Sequence, residues 1–182
     1  MNSFASNLKY NAVVKPLAGI GVLVFLLTMS SRIVCQSNSI KDVLDHLNTG
    51  SVSYIYAEQL STDKDYILLD AREWSEFNVS RLPGAMYVGF SEFNLEKTLE
   101  FLADYQGKVV VYCTLGVRSE KIGKRLLSAG VRKVYNLWGG IFEWKNNGHP
   151  VIDSNGIYTD SVHIYSKKWG YYLKTGVKVC NQ

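Results

Sequence analysis

The chain has 182 residues, of which 47% are hydrophobic and 20% are charged. This composition is typical of a globular protein with a full hydrophobic core. The formal net charge is +4, but no block of lysine and arginine and no basic stripe interleaved with aromatic residues stands out, so we expect no nucleic-acid partner.

Residues 1–35 differ from the rest of the chain, and we interpret them as a signal peptide or membrane-targeting segment. Lys9 and Lys15 precede an apolar run at residues 17–29, which is shorter than the roughly 20 residues that a membrane-spanning helix needs. The run fits the apolar region of a secretory signal. Cleavage of the segment, lipidation at Cys35 and retention as an anchor all stay open. Each alternative predicts an exported protein, periplasmic or tethered to the membrane on the periplasmic side, with membrane contact only through this segment.

Residues 36–152 alternate short apolar strands with amphipathic helical patterns. The predicted strands are residues 53–56, 66–70, 85–88, 109–113 and 133–137, and the predicted helical segments are residues 38–47, 57–60, 94–105, 119–130 and the stretch that begins at 139–140. Each crossover is long enough to connect parallel strands. The pattern therefore predicts an α/β domain with three layers, in which helices flank a central, mostly parallel five-stranded sheet.

The stretch at residues 108–130 carries the clearest functional signal. Residues 109–113 predict a strand buried on both faces, and a helix begins at Ser119. Cys113 therefore ends a buried strand, with a short loop and a helix N-terminus behind it. Backbone N–H groups of such a loop and the positive end of the helix favour negative charge, so the thiol should ionise to the nucleophilic thiolate. Arg118 adds a fixed positive charge beside it. The alternative is a buried cysteine at the end of a strand with a solvated arginine nearby.

The cysteine loop is one of three ordered blocks in the sequence. Residues 113–119 read Cys-Thr-Leu-Gly-Val-Arg-Ser. This block resembles the active-site loop of the rhodanese family, in which a cysteine is followed by two variable residues, glycine, one variable residue, arginine and serine. Residues 68–85 resemble its first signature, an apolar strand that ends in Asp-x-Arg before a later Pro-Gly-Ala turn, and residues 134–151 resemble its closing signature. Ser80 and Arg81 stand where the family usually has Gly-His, a departure that concerns local loop geometry rather than the chemistry of the cysteine.

The resemblance implies a sulfurtransferase of the thiosulfate sulfurtransferase type. The Cys113 thiolate would take the outer sulfur of an anionic donor such as thiosulfate, become a persulfide and pass the sulfur to cyanide or a cellular thiol, with no metal or organic cofactor. The residues expected to bind the substrate and the persulfide are Thr114, Leu115, Gly116, Val117, Arg118 and Ser119. The resemblance also implies that Asp70 and Arg72 bind the backbone and a nearby carboxylate, Glu76, and so hold the loops around the site in place. The apolar side chains in the cysteine loop favour a donor larger or less charged than thiosulfate.

Two other functions stay open. Cysteine-dependent phosphatases that share the fold have a loop one residue longer, whereas four residues separate Cys113 from Arg118 here, which disfavours phosphate chemistry. A non-catalytic module would use the same fold to bind a partner or carry sulfur. The presence of Cys113, Gly116, Arg118 and Ser119 together favours an enzyme over such a module.

Residues 153–182 form a C-terminal extension rich in aromatic side chains. We predict that it contains a short strand at residues 162–165 and packs on the domain through its aromatic residues; a partner-binding tail is the alternative. His163 has no companion that would make a metal site, so a structural role is expected. Cys180 has no Cys-x-x-Cys partner and is interpreted as incidental. We expect the protein to be a monomer.

Overall fold

The structure is a computed structural model and describes residues 39–180. At its centre lies a five-stranded sheet with the strand order β1-β5-β4-β2-β3, and each neighbouring pair is parallel. The strands are β1 (Ser53–Ile55), β2 (Tyr66–Asp70), β3 (Met86–Tyr87), β4 (Lys108–Tyr112) and β5 (Val134–Leu137). The predicted α/β class and the parallel central sheet are therefore confirmed.

Helices precede the sheet and connect its strands. They are α1 (Ile40–Leu47), α2 (Ala57–Thr62), α3 (Trp74–Val79), α4 (Leu95–Leu102), α5 (Val117–Ser128) and α6 (Gly140–Asn146). Two of them begin at side-chain caps that the sequence makes possible: Ser39 Oγ accepts the N–H of Asp42 at 3.1 Å, and Asn94 Oδ1 accepts the N–H of Lys97 at 3.0 Å. Such caps satisfy donors that have no partner within the first helical turn.

Successive side chains of a strand point to opposite faces of the sheet, and each face is covered by helices. In β4, Val110 and Tyr112 belong to one core cluster, which includes side chains of α1, α2 and α6. Val109 and Val111 belong to the other cluster, which includes side chains of α4 and α5. The helices thus form the two outer layers of the predicted three-layer domain.

After α6 the chain forms two small sheets. In the first, β6 (Val151–Ile152) pairs antiparallel with β7 (Tyr158–Thr159); in the second, β8 (Ser161–His163) pairs parallel with β9 (Val177–Val179). A 3₁₀ helix, Trp169–Tyr172, lies between β8 and β9. The segment contributes five buried side chains to the core cluster shared with α1, namely Val151, Val162, Ile164, Tyr172 and Leu173.

The predicted strand at residues 162–165 is shorter at its C-terminal end than expected. It ends at His163 because the chain turns there: Tyr165 adopts a positive φ of 60° and Ser166 N–H bonds the carbonyl of Ile164 at 2.6 Å. A left-handed residue cannot continue an extended strand. The conformation of this turn, and not the alternating pattern of a strand, therefore sets the orientation of the Tyr165 side chain.

The loop at Ser80 and Arg81, which departs from the family pattern, is held in place by Arg72 and by β6. Ser80 is fully buried and its carbonyl accepts a bond from Arg72 Nη2 at 2.6 Å. The backbone of Arg81 exchanges two hydrogen bonds of 2.9 Å with Ile152 of β6. The Arg81 guanidinium lies 4.7 Å from the ring centre of Phe77. Arg81 is accommodated here through backbone pairing and stacking, whereas the buried Oγ of Ser80 has no hydrogen-bond partner among the described residues.

The expected leader, residues 1–35, lies outside the described residues, as does Cys35. Within residues 39–180, every helix is too short or too polar to cross a membrane.

Candidate active site

Cys113 follows β4 directly, at the carboxyl edge of the sheet, and residues 113–119 form the cysteine loop that leads into α5. The residue is only 2% exposed, yet it lines a pocket of about 170 Å³. The N–H of Gly116 donates to Cys113 Sγ at 3.1 Å. A backbone donor therefore faces the sulfur across the loop, as the sequence predicts.

Gly116 is required by the shape of this loop. Its φ is 114°, a conformation that residues with a Cβ rarely adopt. Its carbonyl accepts bonds from the side-chain amides of Asn136 at 2.8 Å and Asn48 at 3.0 Å. These bonds fix the peptide on the far side of the glycine, so the Gly116 N–H is held towards the sulfur without rearrangement.

Ser119 offers one hydroxyl proton to two acceptors. Its Oγ lies 2.7 Å from Asn136 Oδ1 and 3.5 Å from Cys113 Sγ. A hydroxyl donates one hydrogen bond at a time, so the sulfur competes with the amide for this proton. An ionised sulfur attracts the proton more strongly than a neutral one does, and Ser119 can therefore follow the charge state of the cysteine.

The start of α6 supports the cysteine loop from behind. The N–H of Ile141 bonds the carbonyl of Cys113 at 2.9 Å, and the N–H of Phe142 bonds the carbonyl of Thr114 at 3.3 Å. A Cβ at Gly140, where φ is 56°, would overlap the Cys113 carbonyl oxygen. Glycine at the first position of α6 thus permits the close approach of two backbones.

Arg118 is held by an acidic side chain from α3. Its Nη1 and Nη2 bond the two oxygens of Glu76 at 2.6 and 2.8 Å, and Nη2 also bonds Thr114 Oγ1 at 2.8 Å. A second carboxylate, that of Glu73, lies 4.0 Å from Arg118 Nη1. One face of the guanidinium stacks on Tyr165, 4.9 Å from the ring centre. The Arg118 guanidinium, which was predicted to bind the oxygens of the sulfur donor, instead forms hydrogen bonds within the protein. Its positive charge still lies close to the Cys113 sulfur.

Asp70 and Arg72 form a buried ion pair next to this site, and both are 0% exposed. Arg72 Nη2 lies 2.6 Å from Asp70 Oδ2, and the guanidinium also binds the backbone at Ser80. Arg72 was expected to bind the backbone and the carboxylate of Glu76; besides the backbone bond at Ser80, its hydrogen bonds go instead to the carboxylate of Asp70, two residues earlier, which accepts both the N–H and the guanidinium of Arg72. Glu76 is thereby left to pair with Arg118.

The charges in the site shift three pKa values. Burial opposes ionisation of Cys113, but the positive charge of Arg118 and the donors of Ser119 and Gly116 outweigh it and lower the pKa of the thiol. Burial likewise opposes the charged form of Glu76, yet hydrogen bonds and charge from Arg118 lower the pKa of that carboxyl. For Arg118, the bond to Glu76 overcomes burial and raises the pKa. The site thus favours the thiolate.

The pocket is completed by two side chains that sequence reasoning did not assign to it. Tyr165 and Trp169 line it together with Cys113 and its loop. They follow Cys113 by more than 50 residues and belong to no motif. The one available signal was the aromatic clustering of the C-terminal extension, from which we predicted packing on the domain.

The other candidate residues of the extension lie outside the pocket lining. His163 is 3% exposed, and its Nδ1 accepts the N–H of Tyr165 at 3.0 Å. Cys180 is partly buried and packs against the core cluster that contains Leu173. Among residues 39–180, no group of three or more His, Cys, Asp and Glu side chains is arranged to hold a metal ion.

The fold and the loop define a class of α/β proteins in which a cysteine and an arginine lie between a central parallel strand and the following helix. The family model described as the rhodanese-like domain matches residues 53–147, which is more than half of the chain. The chain therefore belongs to the rhodanese-like domain family. Tyr165 and Trp169 lie beyond the matched residues.

Named relatives agree with this assignment. The chain is 29% identical over 104 residues to the thiosulfate sulfurtransferase GlpE of Coxiella burnetii, covering 57% of this chain and 94% of the relative. It is 30% identical over 149 residues to the tRNA uridine(34) hydroxylase of Escherichia fergusonii, covering 75% of this chain but 42% of that protein. The crystal structure of a thiosulfate sulfurtransferase from Pseudomonas aeruginosa is similar with a TM-score of 0.50 and 28% identity, covering 58% of this chain and 21% of that one.

Proposed function

We propose that the protein is a sulfurtransferase that moves a sulfane sulfur from an anionic donor of the thiosulfate class to a thiol or cyanide. The Cys113 thiolate attacks the outer sulfur of the donor, the bond from that sulfur to the rest of the donor breaks, and its electron pair leaves with the departing fragment, which is sulfite when the donor is thiosulfate. Cys113 then carries a persulfide. The acceptor attacks the outer sulfur of the persulfide, and the Cys113 thiolate is regenerated.

The observation that carries this proposal is the environment of the Cys113 sulfur. The thiol lines a pocket, accepts the Gly116 N–H at 3.1 Å and has its pKa lowered, against the effect of burial, by Arg118, Ser119 and Gly116. The same donors would stabilise the negative outer sulfur of a persulfide. Cys113 is the proposed nucleophile. Gly116 and Ser119 donate to its sulfur, and Arg118 supplies positive charge beside it. Thr114, Leu115 and Val117 line the pocket that would receive the donor. Asp70, Arg72 and Glu76 act by holding the loops.

The proposal is tested by following sulfur on the protein. Incubation with thiosulfate should add the mass of one sulfur atom to the peptide that contains Cys113, and cyanide should remove it as thiocyanate. A Cys113→Ser variant should fold but neither gain sulfur nor release thiocyanate. Cys180→Ser is the matched control and should keep both reactions. A folded wild-type protein that gains no sulfur from any sulfane donor would contradict the proposal and favour a non-catalytic module.

A phosphatase is the less favoured enzyme. Four residues separate Cys113 from Arg118, and both terminal nitrogens of Arg118 are bound by Glu76. Recognition of a phosphate by arginine relies on such paired donors being directed at its oxygens. The arrangement therefore supports displacement at sulfur over displacement at phosphorus.

The proposal extends to partners and location. The substrates are small molecules, the chemistry needs no metal or organic cofactor, and neither nucleic acid nor a second copy of the chain is required. From the sequence of residues 1–35 we propose export to the periplasm, with or without a membrane tether. Mass spectrometry of the mature protein from fractionated cells would show where the leader is cut and whether Cys35 carries lipid.

A further inference from the structure

The pocket in front of Cys113 is apolar on most of its surface. Besides Cys113 and Thr114, its lining includes the aliphatic side chains of Leu115 and Val117 and the rings of Tyr165 and Trp169. An apolar space of about 150 Å³ is enough to bind benzene. This pocket is half open to solvent and measures about 170 Å³. The space beside the sulfur therefore fits an organic group about the size of an aromatic ring.

The local charge is poorly suited to a doubly charged donor. Arg118 is the cation that faces the sulfur, but Glu76 binds both of its terminal nitrogens, and the carboxylate of Glu73 lies 4.0 Å from Nη1. An incoming dianion would meet one guanidinium whose charge is already compensated by two carboxylates. Arg118 attracts an anion only to the extent that its positive charge is not already compensated by the two carboxylates. A donor with one negative charge or none meets less repulsion.

The aromatic wall is held in place by the backbone of the C-terminal extension. Tyr165 has a φ of 60°, its N–H donates to the buried Nδ1 of His163 at 3.0 Å, and its ring stacks on Arg118. A tyrosine in this conformation costs about 1 kcal/mol or more, and such strain persists only where surrounding contacts impose it. Trp169 is fixed separately, at the start of the 3₁₀ helix, where it packs against Tyr172 with ring centres 5.9 Å apart and ring planes tilted by 39°.

From the apolar lining, the compensated arginine and the fixed rings, we propose that Tyr165 and Trp169 make this site specific for organic sulfane-sulfur donors over thiosulfate. In such a donor the transferable sulfur is bonded to a fragment that carries an aromatic or aliphatic group, as in an organic persulfide or a thiosulfonate. This inference rests on the proposed sulfurtransferase function and names the substrate class for it. The Cys113 thiolate forms a bond to the outer sulfur, the bond to the organic fragment breaks, and the electron pair leaves with that fragment as a thiolate or a sulfinate. No oxidant or reductant is needed.

Three donors separate the effects of charge and shape. Benzenethiosulfonate and methanethiosulfonate have the same reacting group and the same single charge, and differ only in the ring; thiosulfate carries the additional charge. For the wild-type protein we expect kcat/KM to be about tenfold higher for the phenyl than for the methyl donor, the size of discrimination that a few buried carbon atoms provide. We expect thiosulfate to have the lowest kcat/KM of the three.

Variants identify the residues responsible. Tyr165→Gly removes the ring and relieves the positive φ, and Trp169→Leu removes the ring but keeps an apolar side chain; each should lower the phenyl-to-methyl ratio at least threefold, to about 3 or less, given the tenfold starting value. Tyr158→Ala is the control, because Tyr158 belongs to the same extension and is 74% exposed; its ratio should match wild type. Circular dichroism checks that each variant is folded.

The outcomes distinguish this inference from the function on which it rests. Sulfur transfer from none of the three donors would overturn the sulfurtransferase proposal itself. Efficient transfer with thiosulfate as the best donor, or with equal kcat/KM for the phenyl and methyl donors, would leave that function standing and overturn the organic-donor specificity. A phenyl preference that persists in both folded variants would show that Tyr165 and Trp169 do not determine it.

Discussion

Cys113 combines two properties that usually oppose each other, since its side chain is 2% exposed and its pKa is nevertheless lowered. Burial alone raises the pKa of a thiol because it penalises the charged form. The compensation comes from Arg118 first, then from Ser119 and Gly116. Each of these groups is expected to contribute to how readily the sulfur ionises, and the contribution of Ser119 can be isolated because it carries no charge.

Removing the Ser119 hydroxyl should make the thiol less acidic. In wild type, the rate of Cys113 alkylation by iodoacetamide should rise with pH through a midpoint below that of an ordinary thiol, since the thiolate is the reactive form. In Ser119→Ala the midpoint should move upward. Ser128→Ala, at the exposed far end of α5, should leave it unchanged. Labelling is followed on the Cys113 peptide by mass spectrometry, and equal midpoints for all three proteins would show that the hydroxyl does not stabilise the thiolate.

Glu76 should make the fold sensitive to acid. Its side chain is 1% exposed and Arg118 is 15% exposed, so Glu76→Gln leaves a largely buried guanidinium without its counter-charge and should lower the free energy of unfolding at pH 7 by about 3 kcal/mol. Because the pKa of Glu76 is lowered in the folded protein, this stabilisation is fully present above the ordinary glutamate pKa and is lost as pH falls through the folded pKa.

The difference between wild type and Glu76→Gln in urea unfolding should therefore shrink as the pH is lowered below the ordinary glutamate range. Asp160→Asn is the matched control, because Asp160 pairs with Lys145 but its side chain is 75% exposed, and exposed pairs contribute little. A stability difference that does not change with pH would mean that the ion pair with Arg118 is not what Glu76 contributes.

At the level of secondary-structure elements, the sequence predicted the features that depend only on residues close together in the chain. The continuous apolar run of β4 is typical of a strand that is buried on both faces in a parallel sheet. The strand, the loop after it and the following helix were therefore predicted from residues 108–130. The pairing of Glu76 with Arg118 could not be predicted, because the three sequence blocks contain four carboxylates and three arginines. The choice among them depends on how α3 is oriented. Periodicity gives the faces of a helix but not its orientation relative to a loop far away in the chain.

The contact between α6 and the cysteine loop predicts different effects for two similar glycines. Gly140 and Gly148 both have positive φ, but a Cβ at Gly140 would overlap the Cys113 carbonyl and come within 2.7 Å of the Thr114 carbonyl oxygen, whereas a Cβ at Gly148 would meet nothing within 4 Å. Gly148→Ala should cost about 1 kcal/mol, the strain of a left-handed alanine.

Gly140→Ala should cost clearly more than Gly148→Ala and should also displace the cysteine loop, because the clash is with backbone and no side chain can move aside. Urea unfolding measures the stability of each variant, and the pH midpoint of Cys113 alkylation reports the loop. Equal losses of stability with an unchanged midpoint in both variants would show that α6 does not press on the loop as the structure indicates.

For the molecule as a whole, the C-terminal extension belongs to the same compact unit as the five-stranded sheet. It supplies buried side chains to the core cluster and two rings to the pocket. The extension lies beyond the residues matched by the family model, yet it contributes both to the stability of the domain and to the shape of the pocket. Sequence composition indicated that the extension packs, since clustered aromatic residues bury large areas, but only the path of the chain through β8 and the turn at Tyr165 brings it to Cys113.

If the extension is part of the fold, a single core truncation within it should destabilise the entire domain. Leu173 is 1% exposed, and Leu173→Ala should lower the free energy of unfolding by about 2–5 kcal/mol, the range for removing a buried leucine side chain. Val177→Ala, at a position in β9 that is 57% exposed, should change it by no more than about 0.5 kcal/mol. Both are measured by urea unfolding followed through far-UV circular dichroism, which reports the central sheet and helices. A Leu173→Ala protein with wild-type stability would instead mean that the extension is a dispensable tail, and the aromatic wall of the pocket would then have no fixed support.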